Sequence, residues 1–294
     1  MKLEKKATLV SSSTAAVLVI MKMIVGIMSG SVAILASAVD SFLDLIVSLF
    51  NFFALHQAEK EADAKFNFGR GKLEAIAATM EGMVISLSGL FILYTAMEKL
   101  IHPKVIRHMD ISIAVMGISI IITAALVLFL LYVAKQGNNL VIKADALHYK
   151  TDLFSNGAIL LSLAIIHFSD IQIIDPILGI LIAIYMVYSA YPIMKEGFLM
   201  LMDAALEEED IEKITNYLNS VSEITSYHHL HTRAAGSDIF ISVHLVFTVS
   251  TSLFDAHRVS DAVEDDIKAL FEDGRVSIIV HMDPYDDAEI NDEI

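Results

Sequence analysis

Long apolar stretches, separated by short polar segments, occupy the first two thirds of the chain. Six of them are long enough to cross a bilayer, because a hydrocarbon core of roughly 30 Å needs about 20 mostly apolar helical residues. Their approximate limits are 8–29, 32–56, 74–100, 111–134, 141–167 and 172–198. The separating segments are brief, so neighbouring helices are expected to run antiparallel. The pattern predicts an α-helical membrane protein with a six-helix transmembrane bundle over residues 1–203.

The pattern changes after residue 203. Residues 204–294 show an amphipathic helix, two strands joined by a turn, a second helix, and a third strand that Pro284 ends. In the middle strand, apolar side chains alternate as one buried face. The order αββαβ places two helices on one face of a small sheet, so the sequence predicts a C-terminal α+β, ferredoxin-like domain.

Composition and charge support this division and limit the chemistry. The chain is 55% hydrophobic and contains no cysteine, which excludes disulfides, thiolate metal sites and cysteine nucleophiles. The net charge is −16, and residues 204–294 carry most of it, with 20 acidic and five basic side chains. An acidic surface argues against nucleic acid as a partner and is suited to cations.

Basic residues flank the predicted helices unequally. Lys2, Lys5 and Lys6 precede the first helix, and four more basic residues separate the second and third. Loops rich in Lys and Arg face the cytoplasm, which predicts that both termini and the acidic domain are cytoplasmic. The alternative is a cleaved signal peptide, but Lys22 interrupts the first apolar run, so we expect the N-terminus to remain.

Two predicted spanning helices carry ionisable side chains in pairs. Asp40 and Asp44 in the second, and His148 and Asp152 in the fifth, are each four residues apart and therefore share a helical face. An ionised carboxylate alone in hydrocarbon costs several kcal/mol. One imidazole nitrogen and three carboxylates are enough for a tetrahedral shell around a divalent ion such as Zn²⁺. The sequence therefore predicts a metal site between these two helices.

Neighbouring residues leave room for another interpretation. Asp145 and Asn156 extend the stripe of the fifth helix towards its two ends. The alternative to a metal site is that the carboxylates reach water at a helix end, or pair with Lys22 or Lys150.

The acidic domain carries a second candidate site. Six of the 11 histidines fall within 54 of its positions, namely His228, His229, His231, His244, His257 and His281. Alternation along a strand puts His281 and Asp283 on one face, and His228 and His244 lie on the two strands of the predicted hairpin. This clustering favours metal binding. Scattered surface histidines are the alternative, above all for His229 and His231.

The chain resembles the cation diffusion facilitator family in four motifs: DSFLD in the second helix, GRGKLE at the start of the third, ADALHYKTD in the fifth, and the terminal HMDP. The likeness covers nearly the whole chain and is greatest to bacterial ferrous-iron and zinc efflux pumps. It implies a homodimeric, multi-pass protein of the bacterial inner membrane that exchanges a cytoplasmic divalent metal for protons.

The resemblance also implies roles for particular residues. It assigns the transport site to Asp40, Asp44, His148 and Asp152. It assigns a two-metal cytoplasmic site, with Asp283 as the bridge, to His228, His244, His257, His281 and Asp283. It matches Lys72 and Asp203 to a charged pair that holds the helices of the dimer together.

One segment departs from the family pattern. Zinc pumps of this type often bind a further metal in the loop between the second and third helices, through one Asp and two His. The matching positions here are Asp63, Phe66 and Arg70. Phenylalanine cannot ligate and arginine repels a cation, so this loop site is expected to be absent.

The sequence thus predicts an exporter of Zn²⁺ or Fe²⁺, with Cd²⁺ also compatible, that metal binding to its C-terminal domain regulates. No prosthetic group is expected, because metal is substrate and regulator. An intramembrane metallohydrolase would need an open coordination position and a general base, and four protein ligands leave none. A membrane-anchored metal sensor or storage protein is the other alternative, but it leaves the buried Asp pairs unused. Which metal is physiological, and the metal-to-proton ratio, stay open.

Overall fold

Six long helices come first in the computed structural model, which describes residues 3–29, 32–102, 110–137, 139–169, 173–271 and 275–286. The helices are α1 (Leu3–Ser29), α2 (Val32–Ala58), α3 (Lys72–Ile101), α4 (Asp110–Gln136), α5 (Leu140–Ser169) and α6 (Ile174–Leu201). Each lies within a few residues of a predicted apolar stretch. The predicted helical membrane architecture is confirmed.

Helix α5 differs from the other five in composition. Among the described helices, α1 to α4 and α6 are each long and apolar enough to span a membrane. Helix α5 is as long as α3, but ionisable residues crowd its first half: Lys143, Asp145, His148, Lys150 and Asp152. It packs against α3 and α4, and residues 140–142 are almost completely buried. The first half of α5, which carries the ionisable residues, is therefore covered by its neighbours.

Glycine allows α3 and α6 to approach each other closely. A Cβ atom at Gly89 would lie 3.1 Å from the carbonyl oxygen of Ala183, and one at Gly197 would lie 3.0 Å from the carbonyl oxygen of Ala75. Both distances are shorter than ordinary van der Waals contact. A larger residue at either position would force the two helices apart.

The second part of the chain forms α7 (Glu208–Ser220), β1 (Ser226–Ala235), β2 (Asp238–Val246), α8 (Leu253–Ala269) and β3 (Arg275–Asp283). This is the predicted αββαβ order. The sheet order is β1-β2-β3, with β1 antiparallel and β3 parallel to β2. On β2, Ile241, Val243 and Leu245 are buried against both helices, as the alternation predicts, while Ile239 is only partly buried.

Contacts divide the chain into two compact units, residues 1–198 and 199–294. The division falls in the last turn of α6, five residues before the boundary at residue 203 that the sequence predicts. Each unit has its own buried cores. We refer to residues 1–198 as the membrane unit and to residues 199–294 as the soluble unit.

Candidate metal centres

A cluster of three ionisable side chains lies inside the membrane unit, between α2 and α5. His148 Nε2 is 3.3 Å from Asp44 Oδ1 and 3.5 Å from Asp152 Oδ2. One ligand atom from each residue lies within 4.8 Å of the other two, which is close enough to share one metal ion. The His148 side chain is only 6% exposed. We call Asp44, His148 and Asp152 the membrane cluster.

Asp40, the fourth residue of the predicted transport site, lies one turn before Asp44 on α2. Its side chain is exposed, and it is not part of the group of three. Asp145 lies on the other side of the cluster along α5 and is completely buried. Asn156 donates a hydrogen bond from Nδ2 to the backbone carbonyl of Asp152 at 2.9 Å. The structure therefore brings His148 and Asp152 of α5 together with Asp44 of α2, but not with Asp40.

The two lysines of the alternative interpretation behave differently. Lys150 lies over the aromatic rings of Phe154 and Tyr185, at 5.7 and 5.8 Å from their centroids. Lys22 of α1 is 7% exposed and donates from Nζ to Ser41 Oγ at 2.7 Å. Its charge acts on Asp44. One lysine is therefore buried beside the membrane cluster, although its hydrogen bond goes to a serine.

Two neighbouring side chains pack around His148, whose Nδ1 is buried without a hydrogen-bond partner among the described residues. Tyr149 packs its ring edge-on against that of His148, with centroids 5.4 Å apart, and its hydroxyl is hydrogen-bonded to Ser48 Oγ at 2.7 Å. Thr151 donates from Oγ1 to the backbone carbonyl of His148 at 2.7 Å. A ligand held by packing and hydrogen bonds stays close to its binding geometry.

Sequence reasoning missed one ionisable residue of the membrane unit. Glu81 lies in the middle of α3, is 1% exposed, and accepts a hydrogen bond from Asn51 Nδ2 at 2.8 Å. A single carboxylate inside an apolar run is itself a signal of function, because burial without compensation is costly. That signal was available in the sequence.

The soluble unit contains a second cluster, built across its sheet. The strand register pairs His228 with His244 and His244 with His281, so the three imidazoles form a row over β1, β2 and β3. The side chain of Asp283 is 8% exposed, and its carboxylate contacts all three imidazoles. Its carboxylate oxygens lie 2.9 Å from His244 Nδ1, 3.1 Å from His281 Nε2 and 3.4 Å from His228 Nε2. We call these four residues the soluble cluster.

Two further histidines of the soluble unit differ in their relation to this row. The side chain of His257 on α8 is 67% exposed and lies 3.6 Å from Asp261, so within one protomer the structure does not join it to the soluble cluster. His229 sits at a β-bulge with a left-handed backbone (φ 49°), and its ring contacts those of His228 and His244. Asp286 also lies near the row, 3.6 Å from His228 Nδ1, and the sequence analysis did not single it out.

The loop between α2 and α3 is held together by its own residues. Arg70 forms an ion pair with Asp63, and its guanidinium lies over the ring of Phe66 at 4.3 Å. Asp63 also accepts hydrogen bonds from the backbone N–H groups of Lys65 and Phe66. The hydrogen bond from Arg70, followed by those from the backbone, lowers the pKa of Asp63 below its ordinary value. Arg70 and the two backbone N–H groups thus occupy the carboxylate oxygens that a metal would use.

Asp203, matched by resemblance to a partner of Lys72, lies in the soluble unit. It adopts a left-handed backbone (φ 56°) and accepts a hydrogen bond from Arg233 at 3.2 Å. Lys72 is the first residue of α3 in the membrane unit. Their pairing stays a prediction.

Both clusters combine imidazole nitrogen with carboxylate oxygen, the ligand set that Zn²⁺, Fe²⁺ and similar ions prefer. In the membrane cluster two carboxylates and a neutral imidazole carry a charge of −2, which one divalent cation neutralises. Protons bind the same atoms, because a ligating imidazole must be deprotonated. This arrangement can exchange a metal ion for protons.

Comparison with known proteins gives matches over nearly the whole chain. The profile of the cation efflux transmembrane domain matches residues 8–202, and that of the cation efflux protein cytoplasmic domain matches residues 206–285. The cation-efflux pump FieF of Shewanella oneidensis is 34% identical over 95% of this chain and 94% of its own length. The cation-efflux pump FieF of Serratia proteamaculans is 32% identical over 96% of this chain and 93% of its own length.

A solved structure of CzrB in its Zn form is 29% identical to this chain and covers 27% of it and 90% of the CzrB chain, with a TM-score of 0.26.

Proposed function

The chain belongs to the cation efflux family, the cation diffusion facilitators, and from this premise we propose that it exports a divalent metal cation from the cytoplasm in exchange for protons. It is a multi-pass membrane protein, and its curated relatives are named as pumps rather than as enzymes. The observation that carries the proposal is the membrane cluster, where Asp44, His148 and Asp152 lie within 4.8 Å of one another inside the membrane unit.

The cycle follows from the chemistry of those three side chains. A metal ion that enters from the cytoplasm binds the neutral imidazole and both carboxylates and displaces their protons. When the site opens to the other side, protons compete the metal away, since imidazole binds protons in the physiological pH range. The site then returns to the cytoplasmic side with protons bound, which keeps the buried charge low. Metal export is thereby coupled to proton entry.

Asp40 serves in this proposal as the fourth ligand of the transport site. It lies on the same helix as Asp44, one turn away, at a position that the solvent or lipid can reach. A small rotation of α2 relative to α5 would bring the carboxylate of Asp40 from its exposed position into contact with the metal. Zn²⁺ and Fe²⁺ are the proposed substrates, because both accept a mixed nitrogen and oxygen shell.

The soluble unit is proposed to act as a regulator in a homodimer. Metal binding to His228, His244, His281 and Asp283, joined by His257, would draw the two cytoplasmic domains together and shift the populations of the inward-open and outward-open states. We place the protein in a bacterial inner membrane, with both termini in the cytoplasm, because basic residues dominate the loops on that side.

Transport in proteoliposomes tests the proposal directly. With a pH gradient that drives protons out of the lumen, we expect Zn²⁺ uptake, and we expect none without the gradient or with the gradient reversed. Asp44→Ala or His148→Ala should abolish uptake, because each removes a ligand from the membrane cluster. Unaltered flux in both variants would refute the assignment.

A membrane-anchored metal sensor or storage protein is the second candidate function, which the soluble cluster alone would favour. Vesicles distinguish the two: a sensor binds metal through its soluble unit but moves none across the membrane. Wild-type protein that binds Zn²⁺ yet shows no flux under any gradient would favour this candidate.

A further inference from the structure

Three polar side chains are buried together next to the membrane cluster. Asn51 of α2 and Glu81 of α3 are each 1% exposed, and Asp145 of α5 is fully buried. Ionised carboxylates at such positions are stable only when something compensates their charge, because transfer from water into an apolar interior is expensive.

Most of their oxygen atoms have no hydrogen-bond partner in the described part of the chain. Asn51 Nδ2 donates to Glu81 Oε2 at 2.8 Å. Asn51 Oδ1 and Glu81 Oε1 are buried and unpartnered, and neither carboxylate oxygen of Asp145 has a hydrogen bond within 3.5 Å, although Ser11 and Asn51 lie beside that carboxylate. Buried acceptors are normally satisfied, so this shortage of donors around the three side chains indicates that a ligand belongs there.

The three side chains are neighbours across three helices. The charge of Asp145 acts on Glu81, and Asn51 lies beside Asp145 as well as Glu81. His148 is a basic group whose charge acts on both carboxyls. Two ionised carboxylates carry a charge of −2, and one divalent cation balances it.

The place of this group in the bundle separates it from the membrane cluster. Asn51 follows Asp44 by seven residues, which at 1.5 Å per residue is about 10 Å along α2. Asp145 precedes His148 by three residues, or about 4.5 Å along α5. Both steps lead towards the end of the bundle where α2 ends and α5 begins. A cation held here is close to the membrane cluster but uses different ligands.

We propose that Asn51, Glu81 and Asp145 form a second, oxygen-only site for a divalent cation inside the membrane unit. The site stages the ion before it passes to the imidazole of the membrane cluster, a role that rests on the proposed function. Carboxylate and amide oxygens favour hard divalent ions such as Mn²⁺ over those that prefer nitrogen.

Binding of Mn²⁺ to the full chain in lipid nanodiscs tests the site. The background variant Asp44→Asn, His148→Ala, His228→Ala, His244→Ala, His281→Ala removes the imidazoles of both clusters. We expect it to retain one Mn²⁺ per protomer, whose pulsed electron paramagnetic resonance shows no coupling to ¹⁴N. Adding Glu81→Gln or Asp145→Asn should weaken this binding by about tenfold or more, since affinity follows the charge of the ligands.

Glu74→Gln is the matched control. Glu74 is a buried glutamate on the same helix, 5% exposed, whose Oε2 accepts a hydrogen bond from Asn139 at 2.8 Å. Its substitution should leave Mn²⁺ affinity unchanged. Asn51→Asp supplies an independent variant that adds a charge to the site, and it should tighten Mn²⁺ binding.

Two results would overturn the site. One is Mn²⁺ binding that neither Glu81→Gln nor Asn51→Asp alters. The other is an infrared band of a protonated carboxyl group that Glu81→Gln removes and Mn²⁺ leaves unchanged, because protons would then neutralise the pair. Wild-type flux in vesicles is measured separately, so that absent flux with intact Mn²⁺ binding counts against the transport function and not against this site.

Discussion

The two candidate metal centres use the same ligand types on different scaffolds, helices in one and strands in the other. The membrane cluster joins residues four apart on α5 to a carboxylate of α2, and its histidine is 6% exposed. The soluble cluster runs across three strands, and its outermost histidine, His281, is 64% exposed. Helices gather ligands by their i, i+4 spacing, and the sheet gathers them by strand register.

The two centres differ in how their charge is compensated when no metal is bound. In the membrane unit an uncompensated charge is costly, and the buried Lys22 supplies one positive charge, so the carboxylates must hold metal or protons to balance the rest. In the soluble unit Asp283 is also buried, but water reaches the site at His281, which is 64% exposed. A centre that always carries a cation is suited to exchange, and a centre that tolerates vacancy is suited to sensing metal concentration.

The largest expected effect is the loss of transport in Asp152→Asn. The substitution keeps the size of the side chain but removes a charge that lies 3.5 Å from His148 Nε2. We expect Zn²⁺ flux in proteoliposomes to fall at least 100-fold, about 2.7 kcal/mol or more. Asn156→Ala, one turn further along α5, is the control and should retain flux. Equal flux in Asp152→Asn and wild type would show that transport does not need the membrane cluster, and the two centres would then not differ in role.

The corresponding change in the soluble unit should affect binding but not basal transport. Asp283→Ala removes the carboxylate that all three histidines of the soluble cluster contact. Calorimetry on residues 204–294, which have their own core, should show a weakening of Zn²⁺ binding of about tenfold to 100-fold. Asp265→Ala provides an exposed control on α8. Flux of the full chain at saturating metal should persist, and its abolition would contradict a purely regulatory role.

Much of this organisation could be predicted from the sequence, since it depends on local periodicity. The stretch 74–100 predicted α3, observed as Lys72–Ile101, and alternation predicted the buried face of β2. The pairing of His148 with Asp152 follows from their spacing on one helix. In each case the physical cause lies within a few residues of the chain.

Features that depend on how elements rotate and pack could not be predicted in this way. Periodicity puts Asp40 and Asp44 on one face, but only packing decides that Asp44 alone reaches His148. The row of three histidines needs a specific register of β1, β2 and β3. The burial of Asn51 with Glu81 joins residues on two helices that no local pattern relates.

A third centre can be built where this chain lacks one. Phe66→His with Arg70→His replaces the ion pair and the stacked ring by two imidazoles beside Asp63. We expect one additional Zn²⁺ per protomer, with a Kd of about 1 µM, equivalent to about 8 kcal/mol. Metal analysis of the purified full chain measures the count. Phe66→His alone is the control and should add none, because Arg70 still occupies the carboxylate.

The smallest expected effect is on the stability of the soluble unit, with no change in its metal binding. Tyr217 of α7 donates a hydrogen bond to Asp266 Oδ2 of α8 at 2.7 Å, away from the soluble cluster. Tyr217→Phe should lower the free energy of unfolding of residues 204–294 by about 0.5 kcal/mol in urea at neutral pH, because the bond is largely exposed. Zn²⁺ affinity should stay unchanged.

The loss of stability in Tyr217→Phe should depend on pH. Partial burial, followed by the carboxylate of Asp266, raises the pKa of Tyr217 above its ordinary value. Its contribution to stability is therefore fully present below the unfolded pKa of about 10 and disappears as the pH rises through the folded pKa. The difference between wild type and Tyr217→Phe should shrink above about pH 10, whereas Tyr285→Phe, at a residue 58% exposed, should show no such trend. A Zn²⁺ affinity that fell together with stability would show that the soluble cluster depends on the packing of α7 against α8.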